Sequence, residues 1–438
     1  MRVKNRKMSR RSFSSVLTDK NQNEYANQER HSMDSDSLAE MDVLLVSQDH
    51  FKDVEIESTS MLMCKSRKHS SEFERENFYL KEPQSEKAKF GNVRDDAVLF
   101  RRHQSPQPTG IDYFSVLSDE IILHIFKLLP KPVLVKCSSV CKRWQELSYD
   151  ETLWKRHDFG RKVVRSGTLE ILLKRRVLVL RLAMAEIRPP VFTDAYLNIY
   201  PWRCNLQYLD LSMAMVSTQC LSDLLSKCCS LKKLSVEHCT LNEECCISIA
   251  ENNELETLNT TMCEGFTPAG LQAISLCCKN LKEWSLAWTK LSEDCMDAFL
   301  HCLPTNLQRF NISGHRETLT DAALIKVVKR CRNLKELDIS DCSLLSHISF
   351  EVLVKYCQHL QHLHTSRSYN IPTESNRLLK SLKQFKNLEI FQTLTDGALA
   401  ALRAYLPNIA INKHMFSTIA RPTVGIRRSS VWEIPTRD

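Results

Sequence analysis

Glycine is scarce, with 9 residues in 438. That argues against collagen-like and glycine-linker architectures and against a glycine-rich phosphate loop. No apolar run approaches the roughly 18 residues of a membrane span. The nearest attempt, Ile171 to Met184, is broken by Lys174, Arg175, Arg176 and Arg181, so no membrane partner is expected. The basic N-terminus is not followed by an apolar stretch, and no secretory signal is expected. Gly-x-Ser-x-Gly, a Walker loop and His-Glu-x-x-His are all missing, and nothing places a nucleophile beside a base. The chain therefore reads as nonenzymatic, with no catalytic residue and no cofactor. No Cys-x-x-Cys is matched by a second such pair, so no metal site is expected. The densest group of ligand-type residues, Cys357, His359, His362 and His364, reads as a core thiol beside histidines that decorate a strand.

What is present is ordinary for a soluble protein. Apolar residues make up 43% and charged residues 26%, ample for a sizeable core. Lysine and arginine number 60 against 52 acids, a net charge of +8. That is mild for the length and speaks against nucleic acid as a partner. Eighteen cysteines in a chain without a secretory signal are expected to be thiols in a reducing compartment.

Residues 1–109 are rich in Ser, Asn, Gln, Glu, Lys and Arg and show no sustained period. Such a segment cannot bury enough apolar surface to offset chain entropy, and a disordered leader is expected. Its first residues, Arg2, Lys4, Arg6, Lys7, Arg10 and Arg11, could act as a nuclear import signal. The expected location is nucleus and cytoplasm.

Residues 110–156 form a dense unit. Ser118 or Asp119 can cap a helix carrying Ile121, Ile122, Ile125 and Phe126 at helical spacing. Pro130 and Pro132 end it and open a second helix with Val133, Leu134 and Cys137. A third carries Val140, Trp144 and Leu147, and Leu153-Trp154 closes the unit. Three short helices make a thin core, which favours a docking module with an exposed apolar face over a linker domain.

The elements Leu117-Ser118-Asp119-Glu120, Ile125-Phe126, Val140-Cys141-Lys142-Arg143-Trp144 and Leu153-Trp154 resemble an F-box. Ser118 stands where that family usually has proline. The resemblance implies an SCF adaptor as partner and, through it, a cullin and a RING subunit of a ubiquitin ligase. It assigns adaptor contact to Leu117, Ile121, Ile125, Val140, Trp144, Leu153 and Trp154.

After Pro190 a pattern recurs: Leu, two residues, Leu, one residue, then Leu, Ile, Val or Thr. It begins at Leu206-Leu209-Leu211 and occurs eight times in all, ending at Leu388-Phe391-Thr393, at intervals of 24 to 28 residues. Looser copies are Val177-Leu180-Leu182 and Leu406-Ile409-Ile411. This is the leucine-rich-repeat period. The expected fold class is α/β: a three-helix unit, then a solenoid over 157–410 with parallel strands on the concave face and helices on the convex face. Cys228, Cys278, Cys331 and Cys357 each stand three residues before a repeat leucine, and Cys239, Cys263 and Cys342 each stand eight after one. A fixed place in the repeat implies a fixed buried place, where cysteine acts as a small apolar residue.

The strand exits bring Trp288, Asp341 and Arg367 to one edge of the stack, with Arg316 nearby. A tryptophan with flanking arginines and an acid is the composition of an interface hot spot, and paired arginines suit a phosphate or carboxylate. The tail 411–438 carries Phe416, Ile419, Val424 and Trp432 without helical or strand period. It is expected to fold back against the concave face.

Leu286-Ala287-Trp288, Ser313-Gly314-His315-Arg316 and the tail Ile419-Ala420-Arg421-Pro422-Thr423-Val424-Gly425 resemble the S-phase kinase-associated family of F-box, leucine-rich-repeat substrate receptors. The likeness spans roughly 110–433. It implies that a Cks-type kinase regulatory subunit docks on the strand-exit edge and tail, and that a phosphorylated Kip-type inhibitor is captured there for ubiquitination and proteasomal degradation. By similarity Trp288, Asp341, Arg367 and Phe416 touch the accessory subunit, and Arg316 lies in the same region. Asn370 stands where that family has an acid, and Met415 where it has a histidine. The competing expectation is a leucine-rich-repeat interaction scaffold without ligase coupling.

Overall fold

The computed structural model describes residues 112–193, 202–422 and 430–436. The leader 1–109, its basic cluster and the tail stretch 423–429 with Val424 lie outside the described residues.

The front module is a set of short helices: α1 (Tyr113–Val116), α2 (Asp119–Phe126), α3 (Lys131–Cys137) and α4 (Lys142–Ser148). Asp119 and Glu120 occupy the first turn of α2, where the helix dipole favours acids. Pro132 sits in the first turn of α3, where its missing N–H leaves no bond unmade. Ile122, Phe126, Leu134, Cys137, Leu153 and Trp154 form the core. Arg143 ties the helices together, donating to Asp119 Oδ1 at 2.8 Å and to Phe114 O at 3.0 Å.

The solenoid is one parallel sheet of eleven strands in chain order. They are β1 (Arg156–Asp158), β2 (Val179–Arg181), β3 (Tyr208–Asp210), β4 (Lys233–Ser235), β5 (Thr257–Asn259), β6 (Glu283–Ser285), β7 (Arg309–Asn311), β8 (Glu336–Asp338), β9 (His362–His364), β10 (Asn387–Glu389) and β11 (Ala410–Ile411). Register is constant: Leu209, Leu234, Leu258, Trp284, Phe310, Leu337, Leu363 and Leu388 stand side by side and all are buried. Most coils return through a helix with a polar cap. Ser217, Asn242, Thr267, Ser292, Thr320 and Thr395 each accept the N–H of the third helical residue. The seven periodic cysteines are all buried. Burial pushes the thiols of Cys239, Cys278, Cys331, Cys342 and Cys357 up to about 12, so they pack as apolar groups.

Three sequence expectations need correction. The eighth repeat is Phe385, Leu388 and Ile390, since Leu388 is the residue paired with Leu363 and Ile390 is buried. Phe391 and Thr393 lie beyond the strand. A phenylalanine at the first repeat position hid this register. In the next copy Ile411 pairs with Leu388, so Ile411 takes the middle place rather than the third. The solenoid also starts earlier than residue 157. His157 pairs with Leu180 in β1, which puts Trp154, His157 and Phe159 at the three repeat positions of a first coil. Their rings stack in sequence, with centroids 6.0 Å and 5.9 Å apart. Trp154 therefore belongs to the front core and to the first coil at once, and the two units share it. Lys131 of α3 strengthens the joint: its ammonium donates to Arg156 O and lies 5.4 Å from the Trp154 ring. Burial, with the Lys131 charge adding, holds His157 well below the ordinary imidazole pKa, so the joint carries a neutral ring.

On the opposite side of the strands the side chains are polar. Asp210, Ser235, Asn259, Ser285, Asn311, Asp338, His364 and Glu389 form a buried column. The tail covers part of this face. His414 N donates to Glu389 Oε1 at 3.0 Å, and Arg309 donates to Thr418 Oγ1 at 3.1 Å. Ala420 N donates to Glu283 Oε2 at 3.3 Å, and Arg421 pairs with Glu237 at 3.1 Å. Ile419 and Ala420 are buried, and Trp432 of the closing hairpin donates to Ala420 O at 3.3 Å. The tail thus runs from the last coils back toward the first.

Candidate functional site

Among the described residues, two surfaces gather the expected site residues. The first is on the front module. Ile121 is 49% exposed and Val140 is 63% exposed, while Leu117 and Ile125 are half-buried. Trp144 is half-buried in an aromatic cluster, edge-on to Phe114 at 5.0 Å and to Phe126 at 5.4 Å. Leu153 and Trp154 are placed differently from the expected contact role: both are enclosed in the chain's own core, and Trp154 Nε1 donates to Ser148 O at 2.8 Å. So packed, neither is open to a partner, and Trp154 stacks on His157 of the first coil. Sequence reasoning missed Tyr113, Phe114, Val116 and Leu128, all exposed on the same short module. Their signal was available, since α1 is too short to bury an apolar face of its own.

The second surface is the strand-exit edge. At each exit the backbone turns left-handed. Met213, His238, Met262, Trp288, Asp341 and Arg367 hold φ between 56° and 63° at equivalent positions, and Gly314 holds 82°. Non-glycine residues rarely adopt this region, which costs on the order of 1–2 kcal/mol each. Only Gly314 advertised the turn in the sequence. Its missing side chain has a use: a Cβ there would stand 2.6 Å from Trp288 Cδ2. The indole lies over that glycine, and the Arg316 guanidinium caps it 5.4 Å from a ring centroid.

Asp341 organises the rest. Its buried carboxylate accepts from Arg316 Nη2 at 3.0 Å and from Arg367 Nε at 2.9 Å, with a further bond from Arg367 Nη2. The hydrogen bond to Asp341 raises the Arg367 pKa further. One carboxylate thus holds two guanidinium groups, leaving a net charge of about +1. The tail supplies the other wall. Phe416 is 68% exposed and, with Met415, lines one groove with Trp288, Asp341 and Arg367. Four of the five expected accessory-site residues line this groove, and Arg316 stacks on its rim. The Asn370 amide donates to Ser343 O, and the Ser343 hydroxyl donates to Arg316 O at 2.8 Å.

Below the groove lies a charged network. His364 Nε2 is 3.3 Å from Glu336, which also accepts from Arg309 Nε at 2.7 Å. Burial opposes charge on Glu336, but its bonds with His364 and Arg309 hold it at about 2. Burial likewise opposes charge on His364, but the Glu336 bond and the nearby Asp338 and Glu389 carboxylates raise its pKa. Cys357 is a core thiol, and His362 and His364 lie along β9. Among the described residues no group of three His, Cys, Asp or Glu could hold a metal ion, and no helix there is long and apolar enough to cross a membrane.

A short helical module followed by a leucine-rich-repeat solenoid defines an F-box, leucine-rich-repeat protein, and comparison with known families agrees. An F-box-like family matches residues 117–160, and the SKP2 LRR domain family matches residues 167–438. The chain belongs to the SKP2 LRR domain family. It is 29% identical over 181 residues to a rice (Oryza sativa subsp. japonica) transport inhibitor response 1-like protein, covering 40% of this chain and 30% of that one. It is 26% identical over 237 residues to F-box/LRR-repeat protein 12 of Homo sapiens, covering 51% of this chain and 71% of the relative. It is 27% identical over 188 residues to GRR1-like protein 1 of Arabidopsis thaliana, covering 42% and 31%. The chain thus matches about a third of the length of the rice and Arabidopsis relatives.

Proposed function

We propose that this chain is the substrate-recognition subunit of an SCF-type ubiquitin ligase. The observation that carries this reading is the shared joint at Trp154, which seats a module with outward apolar side chains rigidly on a binding solenoid. The module docks on the adaptor and through it on cullin and RING. The solenoid then holds a substrate at a set distance from the ligase's transfer centre. Its contribution to rate is proximity: a second-order encounter becomes a local one. The chain itself transfers nothing.

A finer reading rests on the likeness to S-phase kinase-associated protein 2. There the groove of Trp288, Arg316, Asp341, Arg367 and Phe416 receives a Cks-type subunit, and the two together capture a phosphorylated Kip-type inhibitor. The arginines are already tied to Asp341, which favours a protein surface over a bare phosphate as occupant. Nuclear and cytoplasmic residence belongs to the same proposal and rests on the basic cluster Arg2 to Arg11.

The test is co-purification. Ile121→Ser with Val140→Ser should weaken adaptor binding by about 2 kcal/mol or more, roughly 30-fold, while leaving the melting temperature unchanged. Undiminished adaptor binding would leave the scaffold reading in its place. Trp288→Ala should impair capture of a phosphorylated Kip-type peptide in the presence of the Cks-type subunit and spare the adaptor. Equal capture by that variant would remove the finer reading alone.

A further inference from the structure

Most repeat thiols face backbone carbonyls. Cys263 donates to Val236 O at 3.0 Å and Cys331 to Pro304 O at 3.5 Å. Cys228 donates to Leu224 O at 3.4 Å, and among the described residues it also meets a second thiol. Cys204 Sγ and Cys228 Sγ lie 3.6 Å apart, buried between the coils of β3 and β4. The backbone holds them there, because Cys204 N donates to Lys227 O at 2.9 Å and the two cysteines form an isolated parallel bridge. Bridged chains run about 4.8 Å apart, and a disulfide spans Cα separations of about 4.4–6.8 Å. No large backbone movement separates these thiols from a bond.

Their surroundings make the pair unequal. The contact with Cys228 lowers the Cys204 thiol pKa, burial opposing and Arg203 assisting. The same contact, with burial, pushes Cys228 well above the ordinary thiol value. On the outer face of this coil a cavity of about 370 Å³ is lined by Lys174, Arg176, Trp202, Arg203 and Asn205. Arg203 and Asn205 are the chain neighbours of Cys204, and their exposed side chains alternate with its buried one.

We propose that Cys204 and Cys228 are an oxidation site that closes an intramolecular disulfide, with hydrogen peroxide as the oxidant. The Cys204 thiolate attacks one peroxide oxygen, the O–O bond breaks, and Cys204 sulfenic acid and hydroxide result. Cys228 sulfur then attacks the Cys204 sulfur. The S–S bond forms, the S–O bond breaks, and the leaving hydroxide takes up the Cys228 proton as water. The two thiols lose two electrons and two protons, and one peroxide becomes two waters. A thiol such as glutathione reverses the bond by exchange. The bond joins two coils near the front of the solenoid and closes a loop across 24 positions. It lies outside both open surfaces, so it stiffens the stack without blocking either.

The test is peptide mapping of the purified full chain, with thiols alkylated after treatment with hydrogen peroxide. The expected result is a linked peptide pair containing Cys204 and Cys228, two hydrogens lighter than the reduced pair. The melting temperature should rise on oxidation and return with dithiothreitol. In Cys228→Ser the sulfenic acid should persist on Cys204 and be trapped by dimedone. Cys204 and Cys228 recovered fully alkylated after unfolding, in protein whose exposed Cys141 and Cys277 have already oxidised, would overturn the proposal. A Cys204–Cys229 link would do so too.

Discussion

In the front module Tyr113, Val116, Ile121, Leu128 and Val140 point outward over a core of six buried side chains. In the solenoid each coil encloses its repeat residues, and exposed apolar side chains such as Met213, Met262 and Trp288 gather at the strand exits. Both regions use the same residue types. They differ in whether a neighbouring coil is available to cover the apolar face. A coil has one above and one below, whereas the module has the solenoid on one side only, at Trp154. What the module leaves uncovered is a surface for another chain.

Paired substitutions test that difference most directly. Trp284 is wholly buried and packs edge-on to Phe299 at 6.1 Å. Trp284→Ala should lower unfolding free energy by about 3–5 kcal/mol through the cavity it leaves, whereas Ile121→Ser should change it by under about 0.5 kcal/mol. Urea unfolding of the two variants measures both, and equal losses would erase the distinction between the regions. A smaller effect is expected at the exit groove. Asp341→Asn removes the charge that holds Arg316 and Arg367, and should cost about 1–2 kcal/mol, since both arginines are partly solvated. The smallest effect concerns pH. The folded-state pKa of His364 is raised, so its stabilising contribution is complete below about 6.5 and is lost as pH rises through the folded value. Melting temperatures recorded from mildly acidic to alkaline pH should fall more steeply for the native chain than for His364→Gln. Parallel curves would show that the His364–Glu336 pair contributes nothing to this range.

Much of the fold was legible because a repeat states its rule many times. Leu206-Leu209-Leu211 and its copies fix strand, core face and stacking together, and one loose copy does not obscure the rest. Register failed at Phe385 because that residue fills a leucine's place without matching its letter. The joint was missed because Trp154 satisfies two patterns, closing the helical module and opening the first coil. For the candidate site, spacing alone brought Trp288, Asp341 and Arg367 to one edge. It could not show that Asp341 holds both arginines, since that depends on side-chain reach across coils. Nor did composition separate Leu153 and Trp154 from Ile121 and Val140. All four are apolar, and only packing decides which face inward.

Repeat stacks ordinarily behave as one-dimensional chains, each unit stabilised by its neighbours and free to melt from either end. The tail changes that here. It bonds Arg309 across 109 positions, Glu283 across 137 and Glu237 across 184. A coil near the middle therefore cannot loosen without disturbing a strap that also grips coils on either side. The expected consequence is unfolding in fewer, larger cooperative steps than the coils alone would show, with slow amide exchange spread over the strapped coils rather than decaying from the ends.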